Sequence, residues 1–303
     1  MSEQAQVKPN SQKGNSFKAG ATPLPQLPLM LLKAVPTMVR RGKVAEELNA
    51  LTAQYSCSAI SKSHLDAYHR QFPGMQSKVP LTYFYLLAQR AHLALMLDDR
   101  FPWPLLGMVH VANRMECFAE PDLTQPFILD VQIEFPPRAA TRKRVRPMYW
   151  VNFYQGDTRV VQCSSAYQVG GGKKSPSRKS SRSTDLSTDG YERVSDWLLE
   201  SDLGRHYAKL SGDYNPIHLH PWLSRWFGFN RPIIHGMYSV ARAQASIEEN
   251  YGKPVKMLDI GFRKPVVLPT SVLCLVNAAE STLMVTDMKR SRSYLDGSFS
   301  LFS

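Results

Sequence analysis

Residues 207–237 read YAKLSGDYNPIHLHPWLSRWFGFNRPIIHGM and carry the most structural information in the sequence. This stretch mixes acidic, histidine and asparagine side chains with apolar neighbours, and it leads directly into a helical pattern. The residues of this pattern recur at spacings of three and four, so they share one face of a helix: Met237, Val240, Ala241, Gln244 and Ile247. Gly252 then supplies a stop signal after Tyr251. We therefore predict a central helix that begins near Gly236 and ends near Tyr251.

The segments around this stretch repeat one pattern, a long apolar helix followed by several strands. After the predicted helix come strand-like segments at residues 255–262, 271–278, 283–287 and 294–302. Earlier in the chain, Pro80 introduces residues 81–97, whose apolar positions surround nearly the whole helical circumference, as in a buried helix. Strand-like segments follow it at residues 128–135, 148–154 and 159–169.

One helix followed by a meander of strands, present twice, predicts an α+β fold with an antiparallel sheet curved round each helix. The repeat spacing of roughly 150 residues is about one domain length and indicates a diverged duplication. Residues 170–190 contain no aromatic residue and a single Leu, so we predict a flexible basic linker there. The predicted organisation is an extended N-terminal arm at 1–43, an N-terminal domain at 44–169 and a C-terminal domain at 191–303.

The composition excludes several classes of protein. With 303 residues, 43% of them hydrophobic, the chain has enough apolar material for a full core. No apolar run reaches the roughly 20 residues that span a bilayer, because Gln89, Arg90 and His92 interrupt the best candidate. The polar first 23 residues do not resemble a secretory signal, so we expect a cytoplasmic protein. The four cysteines are scattered without a C-x-x-C pair, which argues against a zinc site and against a disulfide framework.

The net charge of +12 is concentrated in two places. One is the run at residues 138–146, and the other is the basic part of the predicted linker at 173–182. We interpret both as solvated loops, with a phosphate-attracting patch as the alternative. Neither run interleaves aromatic side chains, and no helix-turn-helix, zinc-finger or RNP pattern is present. The sequence therefore gives no support to nucleic-acid binding.

Asp213 and His218 are five residues apart with the turn-forming pair Asn215-Pro216 between them, so their side chains can converge. A carboxylate and an imidazole that face one small space can hold a water, take its proton and return a proton to a substrate. This pattern favours a hydration or dehydration site. The alternative is structural: Asp213 caps a helix or turn, and His218 is a satisfied core histidine.

His235-Gly236-Met237 falls where the predicted helix begins. The first turn of a helix exposes unpaired N–H groups, and glycine lets a substrate atom approach them closely. Such a site can polarise a carbonyl conjugated to a double bond and stabilise the enolate that follows. A simple turn glycine is the alternative for Gly236.

The strings Y-A-x-x-S-G-D-x-N-P-I-H and G-F-x-x-P-I-x-H-G-M closely resemble the MaoC-like dehydratase family, which includes (R)-specific enoyl-CoA hydratases and 3-hydroxyacyl thioester dehydratases. Weaker resemblance continues through GFRKPVVLP and YLDGSF, and FPWPLLGMVHVANRM resembles the N-terminal part of two-domain members. The resemblance implies a double hot-dog fold, in which an antiparallel sheet wraps each central helix. It also implies a hydro-lyase that adds or removes water across the 2,3 double bond of an enoyl thioester.

Carried over to this chain, the resemblance implies that Asp213 and His218 are the catalytic pair and that Gly236 donates its N–H to the thioester oxygen. The order of the acid and base steps stays open. The residues expected to shape or contact the substrate site are Ser211, Asn215, His235 and Gln244. Active relatives often carry a small hydroxyl residue at the last of these positions, so we expect Gln244 to border the acyl chain and alter substrate range.

The first half contains no D-x-N-P-x-H counterpart, and the resemblance implies a non-catalytic domain that accommodates the acyl chain. We interpret four polar residues in apolar surroundings there as structural: His92, His110, Asn113 and Glu116. The expected partner is an acyl thioester of coenzyme A or acyl carrier protein, with no metal or redox cofactor. We expect the two halves to pack against each other as a pseudo-dimer, and a homodimer of the whole chain is possible in addition. The alternative function is an inactive acyl-thioester-binding protein that keeps the fold and the pocket.

Overall fold

The computed structural model describes residues 20–40, 48–105, 108–136, 145–169, 186–226 and 228–303. Most of the predicted linker at 170–190 and most of the basic run at 138–146 lie outside the described residues.

The N-terminal half, up to residue 169, contains one long helix and a set of antiparallel strands. Its helices are α1 (Leu27–Ala34), α2 (Lys62–Gln71) and α3 (Leu81–Met96), with a 3-10 helix at Val35–Val39. Its strands are β1 (Thr22–Pro23), β2 (Ala50–Cys57), β3 (Val109–Cys117), β4 (Phe127–Glu134), β5 (Met148–Gln155) and β6 (Thr158–Gln168).

The C-terminal half, from residue 186 onward, repeats this plan with an extra helical segment before its long helix. Its helices are α4 (Leu203–Ser211), α5 (Pro221–Trp226) and α6 (Gly236–Tyr251), with a 3-10 helix at Pro216–His218. Its strands are β7 (Glu192–Leu199), β8 (Val255–Phe262), β9 (Thr270–Asn277), β10 (Thr282–Asp287) and β11 (Ser293–Leu301).

In the described part of the chain these strands form one sheet, in the order β1-β2-β4-β5-β6-β3-β8-β11-β10-β9-β7. Every pair is antiparallel except β1 with β2. The halves join where β3 pairs with β8, with Ala112 opposite Gly261 and Glu116 opposite Met257. The predicted α+β architecture is therefore confirmed, and one continuous sheet crosses both halves.

The two long helices are buried because the sheet surrounds them. Phe84 and Ala88 of α3 are almost fully buried, and Phe84 packs edge-on against Phe127 and Phe153 of the sheet. In α6, Val240 and Ile247 are fully buried. The burial of these apolar side chains is the main force that holds each helix inside its part of the sheet.

Four of the described strands, β1, β2, β3 and β7, were not predicted. In β3 the inward position is occupied by the polar Asn113, which is buried and donates from its amide to the Ser164 carbonyl and to Ser165 Oγ. A buried polar side chain at an inward position weakens the alternation of apolar and polar residues by which a strand is recognised.

The predicted extended arm is wrong for residues 27–39, which are helical. Leu27, Met30 and Ala34 are buried, and their spacing of three and four residues gives this segment an apolar helical face. Leu27 lies against Gly212 of the C-terminal half. The segment therefore packs on the fold as a short helix and covers part of the junction between the halves.

None of the helices in the described residues is both long enough and apolar enough to cross a membrane.

Candidate active site

Asp213 stands directly after the end of α4, where the chain turns sharply. Gly212 ends the helix with φ of 75°, in the left-handed region that glycine adopts without strain. The Ser211 hydroxyl donates to the Tyr207 carbonyl at 2.8 Å and accepts from the Asp213 N–H at 3.2 Å. Ser211 is buried and both of its bonds are internal, so the structure gives it the role of fixing the turn that presents Asp213.

The Asp213 carboxylate is held by two donors from different parts of the chain. Its Oδ1 accepts from the Asn215 N–H at 3.1 Å, and its Oδ2 accepts from the Gln89 amide at 2.8 Å. Burial opposes ionisation of this carboxyl, but the nearby His235 and His218 and these two hydrogen bonds outweigh burial and lower its pKa. Asp213 is therefore an anion at neutral pH.

His218 lies at the end of the 3-10 helix, whose first N–H group is capped by Asn215. The Asn215 side-chain oxygen accepts from the Ile217 N–H at 3.4 Å. His218 Nδ1 lies 2.8 Å from the Ile233 carbonyl oxygen, which can only accept. Nδ1 therefore carries the proton, and Nε2 keeps a lone pair. Burial, with the neighbouring His235, lowers the pKa of His218 to about 3, so the ring is neutral at physiological pH.

His235 packs flat against His218, with ring centroids 3.7 Å apart. Its Nε2 donates to the Asp213 carbonyl oxygen at 2.9 Å and lies 4.0 Å from the Asp213 carboxylate. Burial lowers the pKa of His235, so this ring is neutral as well. His235 thus links the start of α6 to the turn that carries Asp213.

Gly236 is the first residue of α6, where the helical N–H groups have no partner one turn earlier. The residue is exposed, and a Cβ atom built on it would lie 2.7 Å from Cε1 of Phe262. Any larger residue would therefore displace Phe262 or fill the space in front of these N–H groups. The structure thus places a free helix N-terminus beside Asp213 and His218.

Asp213, His218 and His235 each offer one ligand atom, and these atoms lie within 4.8 Å of one another. A carboxylate and two imidazoles form a donor set that could hold a divalent cation such as zinc. The Asp213 carboxylate and the Nε2 lone pair of His218 could instead hold a water molecule and exchange protons with it.

Gln244 lies on α6, as predicted, and its side chain is bound by protein groups. It stands eight residues after Gly236, about 12 Å along the helix, and is fully buried. Its side-chain oxygen accepts from Thr82 Oγ1 at 2.9 Å, and its amide donates to Glu248 at 2.8 Å. The amide of Gln244 is therefore bound by protein groups and connects α6 to α3, and its place beside the acyl chain stays a prediction.

Gln89 is a site residue that the sequence analysis missed. It lies on α3 in the N-terminal half, yet it donates to the carboxylate of Asp213. Gln89, Arg90 and His92 interrupt an otherwise apolar helix, and we used them only to exclude a membrane span. A polar side chain on a buried helix face needs a partner, so this interruption was a usable signal for a nearby polar site.

A cavity of about 320 Å³ adjoins the same turn. It is bordered by Ser211 and Gly212 of the C-terminal half and by Tyr83 and Arg90 of α3. Asp213, His218 and Gly236 are not among its lining residues. The cavity is therefore separate from the atoms that we consider for the chemistry.

The comparisons with known proteins point to one family. Residues 177–290 match the family model described as "MaoC like domain". The chain is 26% identical over 207 residues to 3-hydroxyacyl-thioester dehydratase X of Mycobacterium tuberculosis, an alignment that covers 64% of this chain and 68% of that protein. It is also 37% identical over 84 residues to the peroxisomal hydratase-dehydrogenase-epimerase of Saccharomyces cerevisiae, covering 27% of this chain but only 9% of that enzyme.

Solved structures agree at the level of the fold. The structure of HtdX from M. tuberculosis superimposes with a TM-score of 0.66 at 21% identity and covers 83% of this chain and 100% of that one. A MaoC-like dehydratase from Phytophthora capsici superimposes with a TM-score of 0.56 at 16% identity and covers 85% of this chain and 98% of that one. With these neighbours the predicted double hot-dog fold is confirmed.

Proposed function

Because residues 177–290 match the family model of the MaoC-like domain, we propose that this protein is a hydro-lyase acting on fatty-acyl thioesters. The reaction interconverts an enoyl thioester and water with a 3-hydroxyacyl thioester. The observation that carries the proposal is the convergence of the Asp213 carboxylate and the neutral His218 ring beside the free N-terminus of α6. The names of the mycobacterial and yeast relatives support the same reaction class.

In this mechanism, the thioester oxygen of the substrate accepts a hydrogen bond from the Gly236 N–H. The partial positive charge of the helix N-terminus withdraws electrons from the conjugated double bond and makes C3 open to attack. Phe262 packs beside Gly236 and shields this contact from part of the solvent. Stabilisation is strongest for the enolate, in which the oxygen carries the most negative charge.

In the mechanism that we propose, His218 carries out both proton transfers and Asp213 assists it. A water molecule held between them loses a proton to His218 Nε2 while its oxygen forms a bond to C3. The imidazolium then returns a proton to C2, so one water is added and the enzyme is restored. Asp213 orients the water and stabilises the transient positive charge on His218. Gln89 positions this carboxylate across the junction of the two halves.

The N-terminal half takes the non-catalytic role in this proposal. It supplies α3 as one wall of the site and accommodates the acyl chain, consistent with its lack of a D-x-N-P-x-H motif. We keep the domain limits of 44–169 and 191–303 as predictions. The carrier is coenzyme A or acyl carrier protein, and a homodimer and a cytoplasmic location stay predictions as well, to be tested by light scattering and by imaging of a fluorescent fusion.

The direct test is a steady-state assay of the purified protein with crotonyl-CoA, in which hydration removes the absorbance of the conjugated thioester. We expect saturable turnover that persists after dialysis against a chelator and that yields a single 3-hydroxy enantiomer. Binding of crotonyl-CoA by calorimetry without any turnover would contradict the enzyme and favour the inactive acyl-thioester-binding protein. Loss of turnover on chelation, restored by zinc, would contradict the metal-free mechanism.

A further inference from the structure

A group of polar rings lies inside the N-terminal half, next to Gln89. We call Tyr85, His92, His110, Tyr149 and Tyr167 the inner polar cluster. Two of its members lie on α3 and the others on β3, β5 and β6. Tyr85, Gln89 and His92 share one face of α3, since they are spaced by four and three residues. The helix face that meets the Asp213 carboxylate thus continues into this cluster.

The rings of the inner polar cluster are in mutual contact. The Tyr85 and Tyr167 hydroxyls are 3.0 Å apart, and His110 stacks on Tyr167 with centroids 4.5 Å apart. Tyr149 packs edge-on against Tyr167 at 4.9 Å and against His92 at 5.3 Å. The cluster is therefore one continuous polar surface within an otherwise apolar core.

Several atoms of the inner polar cluster lack a hydrogen-bond partner. Among the described residues, nothing pairs with either ring nitrogen of His92, with Nε2 of His110 or with the Tyr149 hydroxyl. His92 and Tyr149 are fully buried, with 0% of their surface exposed. Buried polar groups almost always have a partner, so four unpaired atoms in one place indicate that a bound group supplies the partners.

The inner polar cluster is continuous with the candidate active site. Phe262, which packs beside Gly236, also contacts His110 with centroids 4.8 Å apart. A substrate whose thioester oxygen lies at Gly236 and whose C3 lies beside Asp213 would extend the rest of its acyl chain past Phe262 and Gln89. The next groups that this chain meets are Tyr85, His110 and Tyr167.

The charge of the cluster limits what it can bind. Burial lowers the pKa of His92 and of His110 to about 3, so both rings are neutral at physiological pH. The cluster therefore offers hydroxyls, ring N–H groups and ring lone pairs without a positive charge. These groups suit a neutral oxygen, and they offer no counter-charge to a carboxylate.

We propose that the inner polar cluster binds a neutral oxygen function, a hydroxyl or a carbonyl, carried on the acyl chain of the substrate. This inference rests on the proposed function and names a substrate class for it: enoyl thioesters whose chain bears such an oxygen. Entry of the chain requires Tyr85 and Tyr167 to separate, because their hydroxyls are in contact. The oxygen of the chain then supplies a partner to the unpaired atoms of His92, His110 and Tyr149.

The test compares enoyl-CoA substrates of equal chain length that end in a methyl group, a hydroxyl or a carboxylate. We expect kcat/KM for the hydroxyl substrate to exceed that for each of the others by at least about 10-fold, the range expected where a site hydrogen-bonds a substrate hydroxyl. Tyr149→Phe and His92→Leu should each reduce this preference several-fold. Tyr68→Phe removes an equally buried hydroxyl on α2, outside the cluster, and should leave the preference unchanged.

Two readouts keep the inference separate from the proposed function. Turnover of crotonyl-CoA, whose chain is too short to carry the extra oxygen, reports the proposed function alone. The dissociation constants of the matched saturated acyl-CoA compounds, measured by calorimetry, report the cluster even without turnover. Equal affinity for the methyl and hydroxyl compounds, with no change in Tyr149→Phe, would overturn the inference and leave the cluster a polar core satisfied by internal water.

Discussion

The two halves of the molecule have the same scaffold and different chemistry. Within the sheet, the N-terminal half has the order β2-β4-β5-β6-β3, and the C-terminal half mirrors it as β8-β11-β10-β9-β7. In each half the first strand lies at the outer side, and the strand after the long helix lies at the junction. One clear difference lies in the segment before the long helix, which contains α2 in the N-terminal half and α4, a 3-10 helix and α5 in the C-terminal half. In the function that we propose, the acid–base pair Asp213 and His218 comes from this connecting segment and not from the sheet.

The two long helices carry equivalent glutamines that bind different partners. Each has 16 residues, and each carries a glutamine eight positions after its first residue, Gln89 in α3 and Gln244 in α6. Gln89 donates to Asp213 of the opposite half, whereas Gln244 accepts from Thr82 of the opposite half. The same side chain at the same helix position thus binds the carboxylate of the proposed active site in one case and a threonine of the opposite half in the other.

The contact between Thr82 and Gln244 forms a second junction between the halves. Glu248 of α6, which is fully buried, lies at this junction. Its carboxylate accepts from the Gln76 and Ser77 N–H groups at 2.6 and 2.9 Å, and also from the Ser77 hydroxyl, the Gln244 amide and the Val255 N–H. All of these donors belong to the protein, so this carboxylate is engaged on every side. Asp213, with fewer internal donors, keeps lone pairs available for a water.

The largest effect is expected when the acid–base groups that only the C-terminal half contains are removed. Asp213→Asn and His218→Ala should each lower kcat/KM for crotonyl-CoA by about 10²-fold or more, the magnitude expected for a positioned acid or base. The apparent melting temperature should stay close to that of the parent protein. Retention of full activity by either variant would remove the assignment of this site, and the N-terminal half would then need to supply the chemistry.

Much of this contrast could be predicted from the sequence, because local patterns encode it. The helical spacing from Met237 to Ile247 predicted α6, and the apolar circumference of residues 81–97 predicted α3. Alternation and β-branched or aromatic content predicted seven of the eleven described strands. The short motif around Asp213 and His218 predicted their convergence. Short motifs carry such information because turn chemistry is local.

The contacts between the halves could not be predicted, since they join residues far apart in the chain. Gln89 and Asp213 are separated by 124 positions, and Thr82 and Gln244 by 162. No periodicity within one helix states which partner its polar face meets. Gln244 shows the same limit. Its position on the helix was predicted, but its hydrogen bond to Thr82 of the other half was not.

Both halves contain buried, neutral histidines, and these make the free energy of unfolding depend on pH. The pKa values of His92, His110 and His218 are lowered to about 3 in the folded state, from an ordinary value of 6.5. The unfolded chain takes up these protons as the pH falls below 6.5, and the folded chain does not. The stabilisation is therefore complete above pH 6.5 and is lost as the pH falls toward 3, by about 2 kcal/mol per histidine at about pH 5.

Denaturant unfolding at several pH values checks this prediction. We expect the free energy of unfolding to fall between about pH 7 and pH 5, and we expect a shallower fall in His92→Leu, which removes one of the two N-terminal groups. A slope that His92→Leu leaves unchanged would mean that this ring is already protonated in the folded protein.

Gln89 tests whether the N-terminal half acts on the chemistry of the C-terminal half. Gln89→Leu removes a hydrogen bond that favours the Asp213 carboxylate, so the pKa of Asp213 should rise and kcat/KM should fall about 10-fold. The acidic limb of the pH–rate profile should move to higher pH. Gln89→Glu should be poorest at neutral pH, where two carboxylates repel, and should recover on acidification as they share a proton. A pH profile identical to that of the parent protein would reduce Gln89 to a packing residue.

Thr82→Val, with the smallest expected effect, tests the equivalent contact at the second junction. The substitution keeps the shape of the side chain but removes the donor to Gln244, whose oxygen still accepts from the Thr82 N–H at 3.2 Å. The free energy of unfolding should fall by about 1 kcal/mol, the usual net value of one buried hydrogen bond. The value of kcat/KM and its pH profile should not change, because this junction holds no reacting group. A loss of activity as large as that of Gln89→Leu would show that the second junction is coupled to the first, and the division of labour between the halves would have to be abandoned.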